Sequence, residues 1–191
     1  MTDYINKAIN FARVNFDSYL LDVMPEHYTR PMIKHIKSKN WKNIIGVEIG
    51  TEYGHNAKNI LDILNIKKLY CIDPYVDETA FLHGKDRAND AYLNAKKLLS
   101  KYDNVEIIRK TSNEAVKDIP NSVDFVYIDG NHEYEFVHDD LMYYFPKVRK
   151  GGIIGGHDFD AGHMGVAKAV FEFKSDDIKL YGRGIDWWFE K

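Results

Sequence analysis

Two apolar runs in this chain end in groups that could move protons or hold a cation. Val123-Asp124-Phe125-Val126-Tyr127-Ile128 gives way to Asp129-Gly130-Asn131-His132, and Gly152-Ile153-Ile154-Gly155-Gly156 gives way to His157-Asp158-Phe159-Asp160. Carboxylates and imidazoles delivered to one rim offer acid–base chemistry near neutral pH, or the nitrogen and oxygen donors of a divalent metal. Each residue taken singly is an ordinary turn or surface residue. Asp129, His132, His157 and Asp158 released at two neighbouring strand ends favour a site, with Asp160 and His163 as alternates.

A third stretch has ligand-binding spacing. Ile44-Ile45-Gly46-Val47-Glu48-Ile49 reads as a buried strand, broken at Gly50-Thr51-Glu52-Tyr53-Gly54, with apolar residues at helical spacing from Asn56 to Leu64. A strand, a glycine turn and a helix form the opening unit of a nucleotide-type α/β fold, which binds ligands at the carboxyl ends of its strands. The spacing Glu48-x-Gly50-x-x-x-Gly54 differs from G-x-G-x-x-G because Glu52 fills the middle glycine position. An anion there disfavours a pyrophosphate and suits a cationic or zwitterionic ligand. Asp73, at the end of the run Lys68–Ile72 and followed by Pro74, stands roughly 20 residues past the glycine turn, where a carboxylate accepts hydrogen bonds from a ribose diol. Thr111 or Ser112 could cap a short helix over 113–118, in a turn that such sites place near an adenine ring.

The elements that must position these groups follow from periodicity. Helices are expected over 3–21, 26–38, 56–64, 88–102, 113–118, 135–145 and 165–173, with Pro25 separating the first two. Strands are expected at 44–49, 68–72, 105–108, 123–128 and 152–156, and the segments 178–181 and 185–189 form an antiparallel hairpin through Gly182 and Gly184. Trp187 and Trp188 point to opposite faces. The loop at 75–87 lies over the site, with Tyr75 or Phe81 as contacts. Residues 1–40 read as an N-terminal helical cover and 41–191 as the α/β core of one domain, 1–191.

Composition bounds the function. A chain of 191 residues with 45% hydrophobic and 29% charged residues suits one globular domain with a substantial core. A formal charge of −3 gives no push toward nucleic acid or an anionic membrane. The lone cysteine, Cys71, sits in an apolar strand and reads as core. No stretch has the length and apolarity of a membrane span, and the N-terminus lacks a signal-peptide plan, so a cytoplasmic location is the default expectation.

The segments VEIGTEYGHNA, CIDPY, VDFVYIDGNHEYEFVHDDL, KGGIIGGHDF and the closing WWF resemble the class I S-adenosylmethionine-dependent methyltransferases. Within them the chain is similar to methyltransferase domain family 24 and the relatives of catechol O-methyltransferase and cephalosporin hydroxylase-like proteins, over roughly residues 40 to 190. The resemblance implies a Rossmann-like α/β fold, with a seven-stranded, mostly parallel sheet, its last strand antiparallel and helices on both faces. It implies S-adenosyl-L-methionine as cofactor, contacted by Glu48, Gly50, Thr51, Glu52, Tyr53, Gly54, Asp73, Pro74, Ser112 and Asp129. It also implies a divalent metal (Mg, Mn, Fe or Zn) at Asp129, His157 and Asp158. An imidazole at His157 departs from an all-oxygen set and favours manganese, iron or zinc over magnesium. Where catechol-type relatives carry a lysine base, three residues past the first aspartate, this chain has His132.

The expected activity is therefore methyl transfer to a hydroxyl of a small molecule, with His132 and Asp129 as catalytic residues. Two alternatives stay open. One is a non-haem iron oxygenase using His132, His157 and a carboxylate; the other is a non-catalytic protein that keeps the cofactor pocket. Neither the acceptor nor the oligomeric state is legible in the sequence.

Overall fold

A computed structural model describes residues 2–20, 28–76 and 87–191. Its strands are β1 (Ile44–Ile49), β2 (Ile66–Ile72), β3 (Val105–Ile108), β4 (Val123–Ile128), β5 (Val148–Gly156), β6 (Leu180–Arg183) and β7 (Asp186–Glu190). They form one seven-stranded sheet in the order β3-β2-β1-β4-β5-β7-β6. All neighbouring pairs from β3 through β5 are parallel, and β7 runs antiparallel to both β5 and β6. The expected Rossmann-like methyltransferase architecture is the one observed.

The described helices are α1 (Thr2–Asn15), α2 (Pro31–Ser38), α3 (His55–Ile63), α4 (Arg87–Leu99), α5 (Ser112–Ala115), α6 (Tyr134–Tyr144) and α7 (Met164–Phe173). Side chains alternate across a strand, so each strand feeds two cores. Val47, Ile49, Val126, Ile128 and Ile154 pack with Ala8 and Ala12 of α1, Leu141 of α6 and Val170 of α7. Leu69, Cys71, Phe125, Tyr127 and Ile153 pack with Met32 and Ile33 of α2, Ile60 of α3 and Leu99 of α4. Trp187 belongs to the first core and Trp188 to the second, and both are buried. A covered sheet explains why both tryptophans of β7 are inside.

Two boundaries differ from the periodic reading. Helix α1 ends at Asn15, not near Leu21; Ser18 and Leu20 take positive φ, and Asp17 forms an isolated bridge with Arg183 at the sheet edge. That edge contact breaks a pattern that looked helical in sequence. The start of the second expected helix, at Glu26, lies outside the described residues. The described helix has Arg30 as its N-cap and Pro31 in its first turn, where the missing N–H costs nothing. Phe81 and most of the 75–87 loop also lie outside the described residues. No helix among the described residues is long and apolar enough to cross a membrane.

Candidate functional site

The strand order reverses direction between β1 and β4, and sheets of this kind bind ligands outside the carboxyl ends of the strands at such a point. The loops leave the sheet in step: Gly50 N donates to Ile72 O (2.8 Å), Asp129 N to Ile49 O (2.8 Å) and His157 N to Ile128 O (3.1 Å). Gly50 has φ +86°, and a Cβ on it would stand 2.0 Å from the Asp129 carbonyl oxygen. Only glycine lets the two loops touch.

Glu48 projects from β1 beneath this turn and is buried. Its Oε1 accepts from Asn56 Nδ2 at 2.9 Å, while Oε2 has no hydrogen-bond partner in the protein. Burial pushes its carboxyl up to about 8, opposed by the Asn56 bond and helped by the negative charges of Asp129 and Asp73. Thr51 Oγ1, Asn56 Oδ1 and Tyr75 Oη are likewise buried without hydrogen-bond partners. Native proteins leave few such atoms, because each costs about 1–3 kcal/mol. These atoms lie around one turn and the adjoining strand end, where Thr51 also reaches the Glu48 carboxyl and a polar ligand would add further bonds.

Asp73 is held by the backbone on both sides. Oδ2 accepts from Glu52 N (2.9 Å) and Oδ1 from Tyr75 N (2.7 Å). Pro74 ends β2, and Tyr75 takes φ +50° beyond it. The Glu52 side chain turns to Arg87 (2.7 Å) at the start of α4, and Tyr53 packs beside Tyr75 and Tyr92. Ser112 opens α5 but does not cap it. Thr111 does, accepting from Glu114 N while the Glu114 carboxylate accepts from Thr111 N.

Asp129 and His157 meet around a residue that the sequence did not single out. Arg30, buried at the entry to α2, places Nη2 3.7 Å from Asp129 Oδ2 and brings Nη1 against His157 Nε2. His157 Nδ1 lies 2.6 Å from Asp186 Oδ1, which also accepts from the Tyr127 hydroxyl (3.2 Å); Asp186 Oδ2 accepts from Met32 N (2.9 Å). Burial opposes charge on the His157 ring, but the bond to Asp186 and the nearby carboxylates outweigh it and raise its pKa. Burial likewise raises the Asp129 carboxyl, against the pull of His157 and Arg30. With Nδ1 on Asp186 and Nε2 on Arg30, His157 has no nitrogen left for an ion. Of the expected ligand set Asp129, His157 and Asp158, the first two are engaged with Arg30 and Asp186 in this arrangement. Arg30 and Asp186 lie far in sequence from the β4 and β5 ends that they meet, and no local pattern announces them.

Asp158 is shared between two groups, its Oδ1 lying 3.8 Å from His157 Nε2. Its φ of +62° places the carboxylate against His132, with Nε2 2.8 Å from Oδ2. The carboxylate and the imidazole thus form a close charge-assisted pair. Asp158 raises the pKa of His132; burial raises that of Asp158, but the imidazoles outweigh it and draw it down. His163 stands alongside, Nδ1 3.6 Å from Asp158 Oδ1 and 3.1 Å from Asp160 Oδ1.

Comparison with known proteins bears on these strand ends. Residues 47–159, which run from β1 past β5, match methyltransferase domain family 24. The chain belongs to that family. An uncharacterized protein of Acanthamoeba polyphaga mimivirus is 34% identical to the methyltransferase-family chain over 122 residues, 59% of this chain and 50% of that protein. The chain thus spans about half the length of the curated relative it matches. The fold is similar to that of the O-methyltransferase from Bacillus cereus in complex with SAH (TM-score 0.63, 12% identity, 99% of this chain and 91% of that one). It is also similar to an rRNA methylase from Streptococcus thermophilus (TM-score 0.62, 16% identity, 90% and 98% covered). For a member of this family the cofactor to be fitted is S-adenosylmethionine. The partnerless polar atoms at Glu48, Thr51, Asn56 and Tyr75, with the carboxylate of Asp73 at the next strand end, fit its zwitterionic and ribose ends.

Proposed function

We propose that this methyltransferase-family chain moves a methyl group from S-adenosylmethionine to a hydroxyl oxygen of a small molecule. The observation that supports this reading most directly is the adjacency of two half-sites. A polar floor lacking partners lies on the β1 and β2 loops, and a histidine–aspartate ion pair lies on the β4 and β5 loops beside it.

Bound S-adenosylmethionine supplies an electrophilic methyl on a sulfonium. Glu48 faces its ammonium, and Asp73 accepts from its ribose hydroxyls while the Glu52 and Tyr75 amides fix the carboxylate. In its neutral form His132, with Nε2 held against Asp158, would take the proton from the acceptor hydroxyl at Nδ1, and Asp158 would stabilise the imidazolium that forms. Arg30 holds Asp129 and His157 in place. The formal charge of −3 supports a small acceptor over RNA, although an rRNA methylase is among the structural neighbours.

Calorimetry with S-adenosylmethionine, followed by methyl transfer to a panel of hydroxylated acceptors, tests the reading. His132→Ala should retain cofactor affinity and lose turnover by about 10²–10⁴-fold. Folded protein that gives no heat with the cofactor would refute the proposal.

A further inference from the structure

His132, Asp158 and His163 are the one group among the described residues whose metal-ligating atoms converge. One ligand atom from each lies within 4.8 Å of the others. The closest approaches are 2.8 Å between His132 Nε2 and Asp158 Oδ2, and 3.6 Å between His163 Nδ1 and Asp158 Oδ1. Ligands about 2.0–2.1 Å from a tetrahedral zinc ion stand roughly 3.4 Å apart, so these donors need only small adjustments to enclose one.

The setting holds the three donors in place. Asp160 Oδ1 accepts from Gly162 N (2.7 Å) and His163 N (2.9 Å), which fixes the turn that presents the His163 ring. The two imidazole rings lie 4.6 Å apart between centroids. His132 Nε2 faces Asp158 Oδ2 at 2.8 Å, the contact that a bound ion would replace. Arg30 meets Asp129 and His157, and Asp158 Oδ1 keeps only a longer 3.8 Å contact with His157 Nε2.

We propose that His132, Asp158 and His163 form a site for a divalent transition-metal ion of the zinc or cobalt(II) class. Two imidazoles and one carboxylate suit such ions and not magnesium or calcium, which prefer oxygen. This site differs from the Asp129–His157–Asp158 set expected above. Its consequence rests on the methyl-transfer reading: an ion there takes the His132 lone pair that proton removal needs, so metal binding and base catalysis exclude each other at this residue.

The test uses untagged, chelator-stripped full chain titrated with Zn²⁺ and, separately, Co²⁺ and Mg²⁺. The expected result is one Zn²⁺ per chain, a visible absorption band with Co²⁺, and no saturable Mg²⁺ uptake. His163→Ala and His163→Gln, at a half-exposed position, should fold normally by circular dichroism and bind Zn²⁺ at least tenfold more weakly. Absence of stoichiometric Zn²⁺ uptake, or wild-type affinity in both His163 variants, would overturn the proposal. S-adenosylmethionine titrations of the same samples keep the two readings apart. Cofactor heat without metal uptake sinks this inference alone, and metal uptake without cofactor heat sinks the methyl-transfer reading alone.

Discussion

Replacing Glu48 with glutamine should change both the stability and the cofactor affinity of this protein, each in a pH-dependent way. Glu48 is buried, and its carboxyl is pushed from an ordinary 4.5 to about 8. Below pH 4.5 both the folded and unfolded chains carry the proton, and the group costs nothing. As pH rises toward 8 the unfolded chain releases the proton while the folded chain retains it, so stability falls by about 1.4 kcal/mol per pH unit. The loss reaches about 3 kcal/mol at pH 7 and about 5 kcal/mol above pH 8, where the folded form ionises too. The substituted amide does not titrate and can keep an oxygen toward Asn56 Nδ2. The variant's stability advantage in urea denaturation should therefore widen by about 1.4 kcal/mol per unit from pH 5 to pH 8. Asp140, whose carboxyl burial pushes up to about 7, adds a slope common to both proteins that cancels in the difference. Binding should show the opposite benefit. A cationic cofactor group beside Glu48 draws off its proton, so wild-type affinity should climb up to about tenfold per pH unit below 8 while the variant's stays flat. Calorimetry in two buffers of different ionisation enthalpy reads the released proton directly. Parallel denaturation profiles for the two proteins, together with a wild-type affinity that ignores pH, would refute the reasoning.

Gly50→Ala should destabilise the fold by about 2–4 kcal/mol, through its φ of +86° and the contact of the new Cβ with the Asp129 carbonyl, and should also weaken cofactor binding. Near-native denaturation midpoint and affinity would show that the β1 and β4 loops do not need this approach. Arg30→Ala should cost about 3 kcal/mol by leaving Asp129 and the His157–Asp186 pair without their buried cation, with Arg30→Lys restoring only part. Urea denaturation of both variants checks this, and a loss below about 1 kcal/mol for the alanine would mean the guanidinium is dispensable.

The fold was legible because its elements carry strong local signals. The apolar runs at β1, β4 and β5 and the helical spacing of α3, α6 and α7 all identify themselves within a dozen residues. The loops that carry Glu48, Gly50 and Asp73 were legible for the same reason, since these residues are fixed by their distance from strand ends. The β4 and β5 side of the site depended on contacts that no local pattern encodes. Arg30 reaches His157 across 127 positions and Asp186 reaches it across 29. The sequence placed His157 and Asp158 together at a strand end. Asp158, at positive φ, meets His132 and His163 while its Oδ1 stays 3.8 Å from the His157 ring that faces Arg30. Hydropathy and spacing carry no information about that backbone twist.

The paired tryptophans of β7 have a mechanical consequence. Adjacent residues on one strand are anchored in opposite layers, Trp187 beneath α1 and α7 and Trp188 beneath α2, where His35 stacks on it 4.9 Å away. The strand acts as a rivet through the molecule, and the indole nitrogen of Trp187 grips the His157 carbonyl at 2.9 Å. Neither layer can loosen without pulling on the other, so melting on one side of the sheet is transmitted to the rim where the imidazoles sit.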